Sequence, residues 1–168
     1  MKVIEYNRAW AVNYAKKWAL SRNNAYYDFS FIGGDCTNFA SQCLLAGVGV
    51  MNYTKDVGWY YRSPSDRAAA WSGVEYFYSF LTQNAIDKGV GDGSGPFAEE
   101  VDVSKAEIGD FIQLMRDNGD FYHTLIVVDN NYGRPVVAAH SFDAYAKPLS
   151  AYFFFKARAL HILGARIN

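Results

Sequence analysis

The apolar residues of this 168-residue chain change their repeat once, and that change limits the fold more than any other feature. Early in the chain they recur with the helical period. Ala11, Tyr14, Ala15, Trp18 and Ala19 fall at i, i+3, i+4, i+7 and i+8, which makes one apolar face of a helix over about residues 4–22; Arg8, Lys16 and Lys17 take the solvent side. Gly33-Gly34 breaks the chain. A second helix runs from Asp35 to about Ala46, and Gly47 and Gly49 stop it. Residues 47–70 read as a long loop. A third helix covers about residues 73–83, opened by Ser72-x-x-Glu75 as a capping box, with Val74, Phe77, Tyr78 and Leu81 on its apolar face. Residues 87–96 carry Gly89, Gly91, Gly93, Gly95 and Pro96 and read as a flexible loop. Beyond them the runs are short and rich in β-branched residues. Strands are expected over 110–115, 123–128, 135–140 and 155–162, with Asp129-Asn130-Asn131-Tyr132-Gly133 as a hairpin turn. Helices first and an antiparallel sheet afterwards make an α+β fold, and the length fits a single domain over residues 1–168.

Composition narrows the function classes. A formal net charge of -1 and a pI near 6.3 lack the basic excess of a nucleic-acid partner. No run of about 18 apolar residues is present to span a membrane. The start, Met1 to Arg8, has no apolar core of a signal peptide, although a trimmed secreted or cell-wall-associated domain would look the same. Two cysteines and three histidines exclude a Cys₄ zinc site and leave little for any other, so neither metal nor organic cofactor is expected. The chain is read as a monomer.

That scarcity shortens the search for chemistry. In Gly33-Gly34-Asp35-Cys36-Thr37-Asn38, Asp35 takes the N-cap position and Cys36 the first helical position. There the positive end of the helix dipole and free N–H groups favour a thiolate, and the expectation is a lowered thiol pKa. Cys43 lies in mid-helix and reads as core. Seven helical residues hold the two Cα atoms roughly 10 Å apart, too far for a disulfide. His123 opens an apolar strand at a sheet end and could serve the thiol as base. His140 ends the next strand and, like Asp143 in Ser141-Phe142-Asp143, could orient that base. His161 reads as structural. Aromatic residues are 17% of the chain, and Trp59, Tyr60, Tyr61 and Trp71 are the candidates for the wall of a substrate groove, with ordinary core as the other reading.

The motifs also carry a resemblance. Asp35-Cys36-Thr37-Asn38-Phe39-Ala40-Ser41-Gln42-Cys43-Leu44 with Ala46-Gly47 resembles the "putative amidase domain" family of bacterial, mostly Gram-positive, proteins. So do Met51-Asn52-Tyr53, Gly58-Trp59-Tyr60-Tyr61, Trp71-Ser72-Gly73-Val74, Ile108-Gly109-Asp110, His123-Thr124-Leu125-Ile126-Val127 and Ala139-His140-Ser141-Phe142-Asp143, in family order along nearly the whole chain. That family is similar to the papain-like NlpC/P60 and CHAP cysteine peptidases. The resemblance implies a papain-like fold, Cys36 as nucleophile, His123 as base and His140 as the third residue, with Asp143 as the alternative. Asp35 and Asn38 are assigned to the oxyanion hole or to positioning. One departure concerns that hole, because the wider group has Asp-Cys-Ser-Gly where this chain has Asp35-Cys36-Thr37-Asn38.

The resulting expectation is a cysteine hydrolase of an amide bond, working through an acyl-thioester on a peptide or peptidoglycan substrate of the bacterial cell wall. An acyl transferase or amidotransferase on the same scaffold differs only in the acceptor. A non-catalytic cell-wall-binding module would use the aromatic supply without the thiol.

Overall fold

The sheet that dominates the second half of the molecule takes in the first residues of the chain. The computed structural model describes all 168 residues. Strand β1 (Lys2–Ile4) pairs with the far end of β9 (Lys156–Ile167). Helices α1 (Arg8–Trp18) and α2 (Cys36–Val48) follow. A small hairpin of β2 (Tyr61–Ser63) and β3 (Asp66–Arg67) leads to α3 (Ala69–Ser72) and α4 (Val74–Gln83). Then come β4 (Gly95–Val101), β5 (Phe111–Met115), β6 (Phe121–Asn131), β7 (Arg134–Ala139) and β8 (Ala144–Pro148). The main sheet runs β1-β9-β5-β6-β7-β8, with β4 also on β9, and its paired strands are antiparallel. The fold is α+β, as the change of period requires.

The strand period of two sorts residues to the two faces of this sheet. Phe111, Ile126, Val128, Ala138, Leu160 and Ile162 pack with Phe39, Leu44, Phe77 and Leu81 of the helices. Ile112, Leu114, Leu125, Val127, Val137 and Ala139 pack on the other side with Leu149 and the half-buried Tyr122 and Tyr152. Each large apolar side chain so buried contributes roughly 1.5–3 kcal/mol.

Several sequence expectations are corrected. The first helix does not begin near residue 4. Lys2-Val3-Ile4 are extended, and Asn7 caps α1 by accepting the Trp10 N–H at 3.0 Å. Gly47 does not stop α2. It sits inside the helix because the Tyr6 ring occupies the space a Cβ would need, and the helix ends at Gly49, whose φ of +69° suits glycine. Ser72 does not cap α4. Its Oγ accepts from Arg67 Nε at 2.8 Å, Gly73 is the cap residue, and Glu75 pairs with Arg158 at 3.3 Å. Residues 47–70 are not all loop, since they hold β2, β3 and the start of α3. Gly95 and Pro96 open a strand rather than end a loop, and β8 had no sequence signal. The hairpin turn is present. Tyr132 (φ +53°) and Gly133 (φ +80°) occupy its two central positions between β6 and β7, the backbone of a type I′ turn.

Candidate active site

Cys36 is the first residue of α2 and Asp35 its N-cap, but Asp35 makes no side-chain cap. Its carboxylate is drawn elsewhere. Oδ1 accepts from Phe29 N–H and from Asn38 Nδ2, both at 2.8 Å, and Oδ2 lies 2.6 Å from His140 Nδ1. The first N–H groups of α2 are therefore free of a side-chain acceptor, an arrangement that suits an incoming negative charge. The Cys36 thiol lies 3.7 Å from Thr37 Oγ1 and 4.0 Å from the Tyr122 carbonyl oxygen, and the Thr124 N–H points at it. Thr37 and Thr124 join hydroxyls at 2.9 Å and pin the helix start to β6. The sulfur thus meets β6 at the backbone on either side of His123, along the stretch of that edge left open because β7 ends at Ala139.

Burial decides the charge of this thiol. Cys36 is 8% exposed, and loss of water pushes its pKa above the ordinary value; the nearby Asp35 carboxylate adds to this, while Thr124 and Thr37 hydrogen bonds pull the other way. The expected lowering by the helix N-terminus is overturned, because desolvation of a thiolate outweighs the dipole. Cys43 is fully buried, its pKa also raised by burial, and is core as expected. Both thiols are free.

His123 is buried and its pKa falls to about 4, first through burial and then through the Lys147 ammonium. It is neutral near pH 7. Its ring stacks beside Tyr122, with centroids 5.9 Å apart, and lies 6.0 Å from the Tyr152 ring. Thr124, Ile126 and Val128 face the helices, so His123 shares the opposite side with Leu125 and Val127. No hydrogen bond joins its ring to the thiol, to His140 or to Asp143.

His140 is 1% exposed and has both nitrogens engaged. Nδ1 faces Asp35, and Nε2 lies 2.8 Å from the Trp18 carbonyl oxygen. A carbonyl offers only lone pairs, so Nε2 carries a proton and donates it. The ring stacks on Phe39 at 4.0 Å. Asp143 is held by Arg22 through two bonds of 2.8 and 3.0 Å. The register explains why neither reaches His123. Ile126 pairs with Ala138, so continuing the ladder sets His140 opposite Thr124, on the helix side. The structure brings His140 and Asp143 to Asp35 and Arg22. Ser141 joins them, its Oγ accepting from the Asp35 N–H at 2.9 Å. Asn38 spends its amide on Asp35 Oδ1, the Tyr27 carbonyl and the Trp71 indole N–H, and so positions Asp35.

The aromatic groove candidates are mostly core. Trp59 and Trp71 are fully buried, their rings 4.9 Å apart, and Trp59 Nε1 donates to Ser41 Oγ at 3.0 Å. Tyr60 is buried too, packed 5.5 Å from Tyr53. Partners for both indole N–H groups make burial favourable. Tyr61 is partly exposed, beside Arg22, Tyr26 and Asp28. Exposed aromatic surface is carried instead by Phe31, Phe142 and Phe153, each at least 95% exposed, which carried no periodic signal. A cavity of about 640 Å³ near the helix start is lined by Gly33, Glu75, Tyr76, Arg116 and Tyr122.

A second polar cluster lies apart from the thiol. Asp110 is fully buried and accepts from Arg8 at 2.7 Å, His161 Nδ1 at 2.8 Å and the N–H groups of Glu107 and Ile162. Glu107, Asp110 and His161 bring ligand-type atoms within 4.8 Å, but Arg8 already supplies the cation and both Asp110 oxygens are taken. His161 is structural here, tying β9 to the start of β5.

No helix is long and apolar enough to cross a membrane. No solved structure matches the chain. A curated relative, "Uncharacterized protein YhbB" of Bacillus subtilis (strain 168), is 32% identical over 146 residues, or 85% of this chain. The chain spans 44% of that relative's length. A family model described as "Putative amidase domain" matches residues 5–163, and the chain belongs to that amidase domain family.

Proposed function

We propose that this domain is a cysteine-dependent hydrolase of amide bonds with a papain-like active site, acting on the peptide part of bacterial cell-wall peptidoglycan. The observation that carries the reading is the meeting of Cys36, at an uncapped helix start, with the β6 backbone that flanks His123. The family's amidase description supports amide hydrolysis in general.

The chemistry follows from two neutral groups. The thiol is protonated and His123 is unprotonated near pH 7. His123 takes the thiol proton as sulfur attacks the carbonyl carbon, and a tetrahedral oxyanion forms. The free N–H groups of the first α2 turn are aimed at that charge. Collapse expels the amine, which takes the proton from His123 and leaves an acyl-thioester on Cys36. Water, activated by the same imidazole, releases the acid and restores the thiol. The missing thiol–imidazole hydrogen bond is no obstacle, since such bonds in unliganded sites are often long and tighten with substrate. In this reading Asp35, Asn38 and His140 hold the helix start rather than touch substrate. The cavity by Gly33, Tyr76 and Tyr122 takes one side of the scissile bond.

Mass spectrometry of protein quenched during incubation with solubilised peptidoglycan peptides tests this. An acyl adduct is expected on the Cys36 peptide and absent from the Cys43 peptide. An adduct on neither during measurable turnover refutes covalent catalysis.

A further inference from the structure

We infer that Tyr152 is the positioning residue for His123, its phenol hydroxyl supplying the partner that fixes the imidazole. This rests on the reading of His123 as the base. A base that must take a proton on one nitrogen needs the other held, or its tautomer and ring angle drift. The groups that could hold it from β7 are excluded by geometry. His140 bonds Asp35 and Trp18, and Asp143 bonds Arg22. The β7 residues on the His123 side of the sheet are Val137 and Ala139, which carry no polar atom.

Tyr152 stands where β7 leaves the vacancy. It follows the single 3-10 turn Leu149–Ala151 and packs on the same apolar cluster as Leu125 and Val137. Its ring lies 6.0 Å from that of His123, tilted by 53°. Its hydroxyl is one of two buried side-chain polar atoms in the molecule without a hydrogen bond. An unpaired buried hydroxyl is costly, and such atoms gather where a function requires them. Burial and the neighbouring Tyr122 raise the Tyr152 pKa, so the phenol stays neutral and keeps its proton. A neutral partner suits this base. Lys147, whose ammonium sits 4.0 Å from the centre of the Tyr152 ring, already opposes an imidazolium, and no carboxylate faces His123 to favour one. The other groups around the imidazole are Tyr122 and the Cys36 thiol beyond the strand edge.

Tyr152→Phe removes the hydroxyl alone. A purely structural hydroxyl without a partner predicts unchanged or higher thermal stability and no other effect. The positioning role predicts that stability result together with two losses. In ¹⁵N-labelled protein, wild-type His123 shows one neutral tautomer, and Tyr152→Phe shows a mixture. Turnover of solubilised peptidoglycan falls in kcat by roughly 10- to 100-fold, part of what general acid–base catalysis supplies, at unchanged KM. Identical His123 ¹⁵N shifts in both proteins overturn the proposal. The NMR reading needs no substrate. If wild-type protein turns nothing over, the amidase reading fails while the ¹⁵N shifts still decide whether Tyr152 holds His123.

Discussion

Asp35 Oδ2 and His140 Nδ1 lie 2.6 Å apart, both groups are 1% exposed, and the residue after Asp35 is the candidate nucleophile. This pair binds the end of β7 to the start of α2. Arg22 adds to it, reaching Asp28, Asp35 and Asp143. The pair therefore sets where the Cys36 backbone sits, without touching the thiol.

Removing His140 should act mainly on stability. His140→Ala leaves the buried Asp35 carboxylate without its closest partner, and the expected cost is about 3–5 kcal/mol. Equilibrium denaturation measures it. His123→Gln should cost about 1–2 kcal/mol, since only packing is lost, while abolishing turnover. A reversal, with His123 the larger stability loss, would assign the roles the other way round.

Two titrations give the pH dependence. His123 is depressed to about 4 from 6.5, so between those values the unfolded chain binds the extra proton and the folded one does not. Stability then rises with pH across that window and falls by about 3 kcal/mol as pH drops from 6.5 through 4. His123→Gln should flatten this slope in denaturation series. Turnover should keep its plateau from neutral pH down to about 5 and lose it near 4. An acid limb near 6.5 would mean that the imidazole is not buried as described.

The raised thiol pKa makes a third expectation. Alkylation of Cys36 by iodoacetamide should be slow at pH 7 and climb with pH towards and beyond 9, and Cys43, fully buried, should be slower still in the folded protein. Site-resolved mass spectrometry follows both. Fast, pH-independent labelling of Cys36 would reveal a resting thiolate.

Asp110 is a purely structural counterpart. Asp110→Ala frees Arg8 and His161 inside the junction of β1, β5 and β9, and should cost about 3–5 kcal/mol. At temperatures where the variant is still folded, alkylation of Cys36 should be unchanged, because none of the Asp110 partners touches the thiol.

Much of this was readable from local pattern. Cys36 at a helix start, the apolar alternation from Phe111 to Ile126 and the turn at Tyr132-Gly133 are encoded within a few residues. What was not readable depends on distant partners. Lys2-Val3-Ile4 is a strand only because Ile167 lies beside it, and no short window contains both. Trp59 and Trp71 could be called core or groove until Ser41 and Asn38 were seen to satisfy their N–H groups. His140 and His123 end up near neighbouring strand ends, but a ladder shift of one residue sends their side chains to opposite faces. The thiol shows a contest that sequence position cannot score. A helix N-terminus lowers a cysteine pKa, burial raises it, and the 8% exposure of Cys36 exists only in the folded chain. Tyr152 carried no motif at all. Its interest appears only in an unpaired hydroxyl beside His123.

The central claim is that the Cys36 sulfur breaks an amide bond. Amine release from purified bacterial peptidoglycan, followed for wild type and for Cys36→Ala of matched thermal stability, tests it most directly. The account predicts steady release of new amino groups by wild type and none above background by Cys36→Ala. Equal release by both proteins would contradict it.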